Sequence, residues 1–201
     1  SGPYALAAQS DATFYGMVNA GSTIFSPMIF TSFQKSYGNI YASTSDVYEP
    51  AYATGIETLI PGIYTFDTLV PSGKVPMTEL FSSTPPAPPY APITPPTGTG
   101  ATDALFAAGF GTGNLLKNSF RLSYLQDMAA SPDGVVPAVT TGMPAGNPQN
   151  PSRIAAKKND LRGWSPAAPI LMCGGNADPT VFYSLNTGVM ANLWAPQVAA
   201  R

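Results

Sequence analysis

The residues best suited to chemistry stand in one short loop towards the C-terminal end of the sequence. Residues 174–179 read Gly-Gly-Asn-Ala-Asp-Pro, and the apolar run before them, residues 169–173, is typical of a strand buried on both faces of a parallel sheet. In open α/β sheets, reactive side chains collect on loops beyond the carboxyl ends of strands, which is where Asp178 would lie. Its carboxylate could orient a catalytic histidine, or it could cap a helix that begins near Thr180. The residues alone leave both interpretations open.

Other residues capable of chemistry are few. The sequence has no histidine and one cysteine, so it cannot complete a catalytic triad by itself, and a metal would find only scattered carboxylates. Cys173 lies inside the apolar run and is expected to be a buried packing residue, because a disulfide would need a partner outside the chain. Ser1 could act as an N-terminal nucleophile, although Gly2-Pro3 directly after it makes a poor strand. No phosphate-binding glycine loop followed by lysine occurs, and no cofactor is expected.

The composition is that of a folded protein with little charge. The apolar fraction is 44%, whereas charged residues make up only 10% of the sequence, against about a quarter in typical domains. The net charge is −2 and the nine basic residues are scattered, which argues against a nucleic-acid partner. No apolar run is long enough for a membrane span. Low lysine content with abundant threonine, asparagine, glycine and proline fits a secreted or periplasmic protein.

Hydrophobic spacing and helix-capping signals predict five helices along the chain. A helix is expected over residues 27–37, ended by Gly38-Asn39, and a second begins at Asp46, with Glu49 completing a capping-box-like pair. Residues 84–100 contain seven prolines and are expected to form an irregular, mobile loop. Strands of a parallel sheet are expected only near the two ends, at residues 1–6 and 168–173. The predicted helices after the first cover residues 46–60, 115–130, 152–161 and 180–194.

Two segments carry a resemblance to a known family. Residues 164–181 resemble the strand and acid loop of α/β-hydrolases, in which Gly-x-x-Asp-x-x-Val marks the triad acid; Gly175, Asp178 and Val181 stand in that register. Residues 1–6, Ser-Gly-Pro-Tyr-Ala-Leu, look like the turn that ends the strand after the nucleophile helix in bacterial secreted lipases and esterases. The whole chain is most similar to the secreted cell-wall-degrading lipase/esterases of plant-associated bacteria, which insert a large helical lid between these two landmarks.

The resemblance implies an α/β fold class, as a portion of an α/β-hydrolase with a large, mainly helical and looped lid. Residues 1–10 would end a core strand and turn, residues 11–160 would be the lid with its Pro-rich loop, and residues 161–201 would carry the core strand, acid loop and helix. The many aromatic residues of the lid either line a groove for an apolar ester or form the lid's own small core.

The implied activity is carboxylic ester hydrolysis through a Ser-Asp-His triad, with Asp178 as the acid. The sequence lacks a Gly-x-Ser-x-Gly motif, a histidine and the glycine-rich oxyanion-hole segment, so it is expected to be a piece of a longer polypeptide. Its partners would be the segments of the same enzyme that carry the serine and histidine, and a small apolar ester or lipid-like substrate. Two alternatives stay open: a non-catalytic secreted binding or structural module, and a hydrolase that uses Ser1.

Overall fold

Helices dominate the part of the chain that the computed structural model describes, which comprises residues 17–59, 62–90, 103–131, 146–161, 166–183 and 186–199. Its α-helices are α1 (Ser22–Tyr37), α2 (Pro50–Ala53), α3 (Phe66–Leu69), α4 (Asp103–Ala108), α5 (Asn118–Ala130), α6 (Pro151–Lys158) and α7 (Thr187–Ala199). The shorter elements are the strands β1 (Phe81–Ser82) and β2 (Phe110–Gly111) and the 3₁₀-helices Thr44–Asp46, Ile56–Thr58 and Pro88–Tyr90. Mainly helical structure with one small parallel sheet is compatible with a portion of an α/β fold.

The chain divides into two compact units. Val18–Leu125 forms one, here named the central unit, and the described residues from Gln126 onward, together with Met17, form the other, named the C-terminal unit. The division into residues 1–10, 11–160 and 161–201 stays a prediction. Among the described residues, no helix combines the length and the apolar character needed to cross a bilayer.

Helix α1 ends where the sequence predicts. Gly38 adopts a left-handed conformation with φ of 71°, and its N–H donates to the carbonyl of Gln34 at 2.8 Å. The helix begins earlier than predicted, at Ser22, with Pro27 inside it. The first turn forms because Ser22 and Thr23 are buried, and the Thr23 hydroxyl bonds the carbonyl of Met77 at 3.4 Å. Burial in the central unit therefore outweighs the hydrogen bond that proline cannot make.

The single helix predicted over residues 46–60 is wrong. Pro50 has no N–H to donate to the preceding turn, and Gly55 breaks the helix again with φ of 77°. The capping box also differs from the predicted Asp46 and Glu49 pair: Ser43 is the N-cap, and its N–H donates to Asp46 Oδ2 at 2.8 Å. Two 3₁₀ turns and one short α-helix replace the long helix.

The two strands lie in the middle of the chain. β1 and β2 pair in parallel, with Phe81 opposite Phe110. Strands were expected only near the ends; residues 1–6 lie outside the described residues, and residues 168–173 form no strand. The pairing joins residues far apart in sequence, so alternation within either two-residue strand could not reveal it.

The core of the central unit is built around this sheet. The buried Arg121 stacks its guanidinium on Phe81 and Phe110, 5.1 and 5.4 Å from the ring centroids, and donates to the Ser82 carbonyl at 2.9 Å. Phe30 of α1 meets Phe120 edge to face at 5.1 Å. Aromatic residues that are candidates to line a groove thus lie in the unit's own core; the buried ones are Phe30, Phe33, Tyr48, Phe81, Phe110 and Tyr124.

The remaining helices begin or end at local signals. Helix α5 starts at Asn118 rather than at residue 115, because the backbone of Leu115 bonds other segments: its carbonyl accepts the N–H of Glu49 at 3.0 Å, and its N–H donates to the Glu79 carbonyl at 2.9 Å. Helix α6 starts one residue before its predicted position, with the side chain of Asn150 as its N-cap. Of the Pro-rich loop, residues 84–90 are irregular apart from one 3₁₀ turn, and residues 91–100 lie outside the described residues.

Candidate functional site

The apolar segment before the candidate site is not a buried strand. Residues 169–173 have no regular structure, Leu171 is 91% exposed and Ile170 is 47% exposed. A strand is stable only when neighbouring strands take up its N–H and C=O groups, and the described chain offers this segment none. Cys173 is exposed, so its predicted role as a buried packing residue is also wrong. Only Met172 packs inward, against the cluster formed by Met190, Leu193 and Trp194.

Asp178 caps a turn. Its Oδ1 accepts the backbone N–H groups of Thr180 at 2.8 Å and of Val181 at 2.9 Å. This is the bonding pattern of an N-cap, but no helix follows directly, because α7 begins at Thr187 rather than at residue 180. The helix predicted over residues 180–194 is therefore displaced towards the C-terminus, and Asp178 caps the turn at residues 178–181.

The two backbone hydrogen bonds also set the charge of this side chain. Donation from Val181, and then from Thr180, holds the pKa of the Asp178 carboxyl below its ordinary value, because an amide N–H stabilises the ionised form. The stabilisation from these bonds is present above the pKa of the unfolded chain and is lost as the pH falls through the lower pKa of the folded chain. Asp178 is consequently an anion throughout the neutral range.

The two oxygens of the Asp178 carboxylate differ in their hydrogen bonds with the described residues. The hydrogen bonds from Thr180 and Val181 both end on Oδ1, and Oδ2 accepts no hydrogen bond from the residues that the structure describes. The carboxylate is partly exposed at the surface of the C-terminal unit. A fixed anion with one oxygen held and the other open can accept a hydrogen bond from an N–H group brought to it from elsewhere.

The three residues of the acid-loop pattern come together in this turn. The N–H of Asp178 approaches the Gly175 carbonyl at 3.4 Å, and Val181 supplies a donor through its backbone while its side chain is 46% exposed. Ser1, the alternative nucleophile, lies outside the described residues.

Sequence reasoning missed two features of the C-terminal unit. The first is Tyr183, whose ring lies against Gly174, the first residue of the loop that leads to Asp178. The second is a buried ion pair in which Arg153 donates to Asp127 Oδ2 at 2.6 Å. Aromatic residues and isolated charges are common in any sequence, so neither feature leaves a signal in spacing or composition.

A separate cleft lies in the central unit. It encloses about 310 Å³ beside α2 and is lined by Tyr52, Tyr64, Thr58, Ser72 and Lys74 among others. The Lys74 ammonium lies 6.0 Å from the centroid of the Tyr64 ring. These side chains are mostly polar, so the cleft differs from the apolar groove that a lid over an ester would be expected to present.

The described residues contain no cluster of three or more histidine, cysteine, aspartate or glutamate side chains placed to hold a metal ion. Comparisons of the chain with protein-family models, with curated proteins and with solved structures found no match.

Proposed function

We propose that this chain supplies the triad acid and the lid of a secreted carboxylic ester hydrolase. Asp178 is the acid, and the nucleophilic serine and the histidine are supplied by other segments of the same enzyme. The observation that carries the proposal is the geometry of the Asp178 carboxylate: two backbone N–H groups hold Oδ1, and no described residue donates to Oδ2.

The proposed chemistry follows from that state. Oδ2 accepts the Nδ1–H of the histidine, which fixes the tautomer that leaves Nε2 free to take the proton of the serine hydroxyl. As the serine attacks the ester carbonyl, the imidazole becomes an imidazolium, and the negative charge of Asp178 stabilises it. A carboxylate whose pKa is held low stays ionised while it does this, since it does not take the proton itself.

The proposal implies a different environment in the complete enzyme for the exposed segment before the loop. Residues 169–173 are apolar at every position, and their backbone groups have no hydrogen-bond partner in the described chain, which suits a strand that lies between neighbours in a sheet. In the proposed enzyme those neighbours come from the segments that also carry the serine and histidine. Asp178 then lies just beyond the carboxyl end of a core strand, where reactive side chains of open α/β sheets collect.

A non-catalytic binding module is the second candidate, and the polar cleft beside α2 favours it. A cleft of about 310 Å³ is at the small end of ligand-binding pockets. This function would need no histidine and no nucleophile. It predicts ligand binding by the chain without turnover in any larger assembly, which separates it from the hydrolase.

The first test compares the chain alone with the complete enzyme. We expect the purified 201-residue chain to hydrolyse a short aryl ester no faster than buffer, because it has no histidine to accept the serine proton. Joined to segments that carry the serine and histidine, it should turn the ester over. Turnover by the chain alone that survives re-purification would contradict this account and would favour Ser1 as nucleophile, whereas an inactive complete enzyme would favour the binding module.

A second test concerns the exposed segment. Leu171→Asp in this chain should change the free energy of unfolding by no more than about 0.5 kcal/mol, because the side chain is 91% exposed. In the complete enzyme the same change should cost at least about 3 kcal/mol, since it buries an unpaired charge in a sheet. Urea denaturation of both proteins measures the difference. Equal effects in the two proteins would show that residues 169–173 are not a core strand.

A further inference from the structure

Tyr183 fills a gap between two glycines of the C-terminal unit. A methyl group on Gly174 would come within 3.0 Å of Tyr183 Cδ2 and within 2.8 Å of Thr187 Oγ1. A methyl group on Gly188 would come within 2.9 Å of Tyr183 Cε1. The opposite edges of the ring therefore lie directly against two backbones, an approach that only glycine permits. The ring is 41% exposed, so a large part of it faces solvent beside these contacts.

These contacts join the two ends of the segment that carries Asp178. Gly174 opens the loop before Asp178, and Gly188 is the second residue of α7. The buried Asn186 adds two bonds at the helix end: its side chain donates to the Phe182 carbonyl at 3.0 Å, and its N–H donates to the Tyr183 carbonyl at 3.3 Å. At the start of the segment, Gly174 meets the Tyr183 ring and Thr187, and Met172, two residues earlier, packs against Met190, Leu193 and Trp194 of α7.

We propose that Tyr183 is a positioning residue for Asp178. The ring holds Gly174 against the start of α7. The N–H groups of Thr180 and Val181 therefore remain hydrogen-bonded to Asp178 Oδ1, and the orientation of the carboxylate stays fixed. The catalytic meaning of this role rests on the proposed function, whereas the contacts themselves belong to this chain and can be tested without any activity.

The test is amide hydrogen exchange by NMR on the 201-residue chain. Tyr183→Ala should speed exchange at Thr180 and Val181 at least about tenfold, because the loop opens locally more often. Tyr183→Phe keeps the ring and should stay within about twofold of wild type, as should Val181→Ala, which removes a side chain of similar exposure but keeps the amide. The carboxyl pKa of Asp178, followed in the same samples, should rise towards the ordinary aspartate value only in Tyr183→Ala.

A matched pair of glycines tests the contact itself. Gly174→Ala places a methyl group against the ring and should accelerate exchange as Tyr183→Ala does. At Gly175 the added methyl group would lie 3.5 Å from Asp178 Cβ, an ordinary contact, so Gly175→Ala should leave exchange within about twofold of wild type. Equal effects of the two alanines, or unchanged exchange in Tyr183→Ala, would overturn the proposal.

A reference amide distinguishes local opening from general unfolding. The N–H of Ile154 in α6 bonds the Asn150 carbonyl at 2.9 Å and belongs to the same unit. Faster exchange in Tyr183→Ala at Thr180 and Val181, with Ile154 unchanged, supports a role confined to the loop. Faster exchange by the same factor at all three amides would overturn it, because Tyr183 would then stabilise the whole unit.

In the complete enzyme, Tyr183→Ala should lower kcat about tenfold with KM within about twofold, and Tyr183→Phe should restore wild-type turnover. The two proposals fail separately. If Asp178→Asn leaves activity unchanged, the triad role is wrong even where the exchange results hold. If the exchange results fail while Asp178→Asn is inactive, only the role of Tyr183 is wrong.

Discussion

Asp178→Asn in the complete enzyme is expected to lower kcat at least about a hundredfold, a conservative fraction of the roughly four orders of magnitude that the same change costs in a serine-protease triad of another fold. Asparagine keeps the shape of the side chain but loses the charge that stabilises the imidazolium and fixes its tautomer. Steady-state kinetics on a short aryl ester measures the effect. A kcat within a few-fold of wild type would show that Asp178 does no more than cap its turn.

The fold should survive this substitution. The Oδ1 of asparagine can still accept the N–H groups of Thr180 and Val181, and asparagine caps backbone N–H groups about as well as aspartate. Unfolding midpoints of the two proteins should therefore agree. Asp67→Asn is the matched control, because Asp67 is an exposed aspartate in the first turn of α3 and lies in the other unit. It should leave both kcat and stability near wild type.

Asp127→Ala is expected to have the largest effect on stability. Arg153 donates from Nη1 to Asp127 Oδ2 at 2.6 Å and to the Asp127 carbonyl at 2.8 Å, and the two side chains are 1% and 7% exposed. The other carboxylate oxygen accepts the N–H of Gln149 at 2.6 Å. Removing the carboxylate breaks this buried ion pair by deleting one partner, a change that typically costs about 3–5 kcal/mol.

Urea denaturation followed by tryptophan fluorescence reports this unit selectively, because both tryptophans of the chain follow Gln126 in the sequence. The control is the double variant Asp127→Leu with Arg153→Met, which replaces the pair by apolar side chains and should lie much closer to wild type than Asp127→Ala. A loss below about 1 kcal/mol in Asp127→Ala would show that water or other groups already satisfy Arg153.

Sequence signals predicted best those helix ends that are determined by residues close by in the sequence. The end of α1 at Gly38 and the position of α6 after Asn150 follow from short-range chemistry, a left-handed glycine and a side-chain N-cap. The capping-box-like pair of Asp46 and Glu49 does not start a long helix, because Pro50 has no N–H to donate and the positive φ of Gly55, which cannot be read from the sequence, breaks the chain again.

Strands were harder to predict because they depend on partners. The composition of residues 169–173 favours a buried strand, yet burial requires neighbours that the described chain does not provide. β1 and β2 pair across a wide separation in sequence, for which two-residue segments leave no periodic signal. At the site, the sequence singled out Asp178 and its backbone-capping capacity, but the contact of Tyr183 with two glycines arises only from the folded loop.

The distance between Asp178 Oδ2 and the nearest histidine Nδ1 in a crystal structure of the complete enzyme tests the central claim most directly. We expect these atoms to lie within about 2.6–3.2 Å, with the same imidazole presenting Nε2 to the hydroxyl of the nucleophilic serine. Asp178 Oδ1 should keep the N–H groups of Thr180 and Val181 in that structure. A catalytic histidine that donates instead to a different carboxylate, with Asp178 Oδ2 facing solvent, would contradict the account.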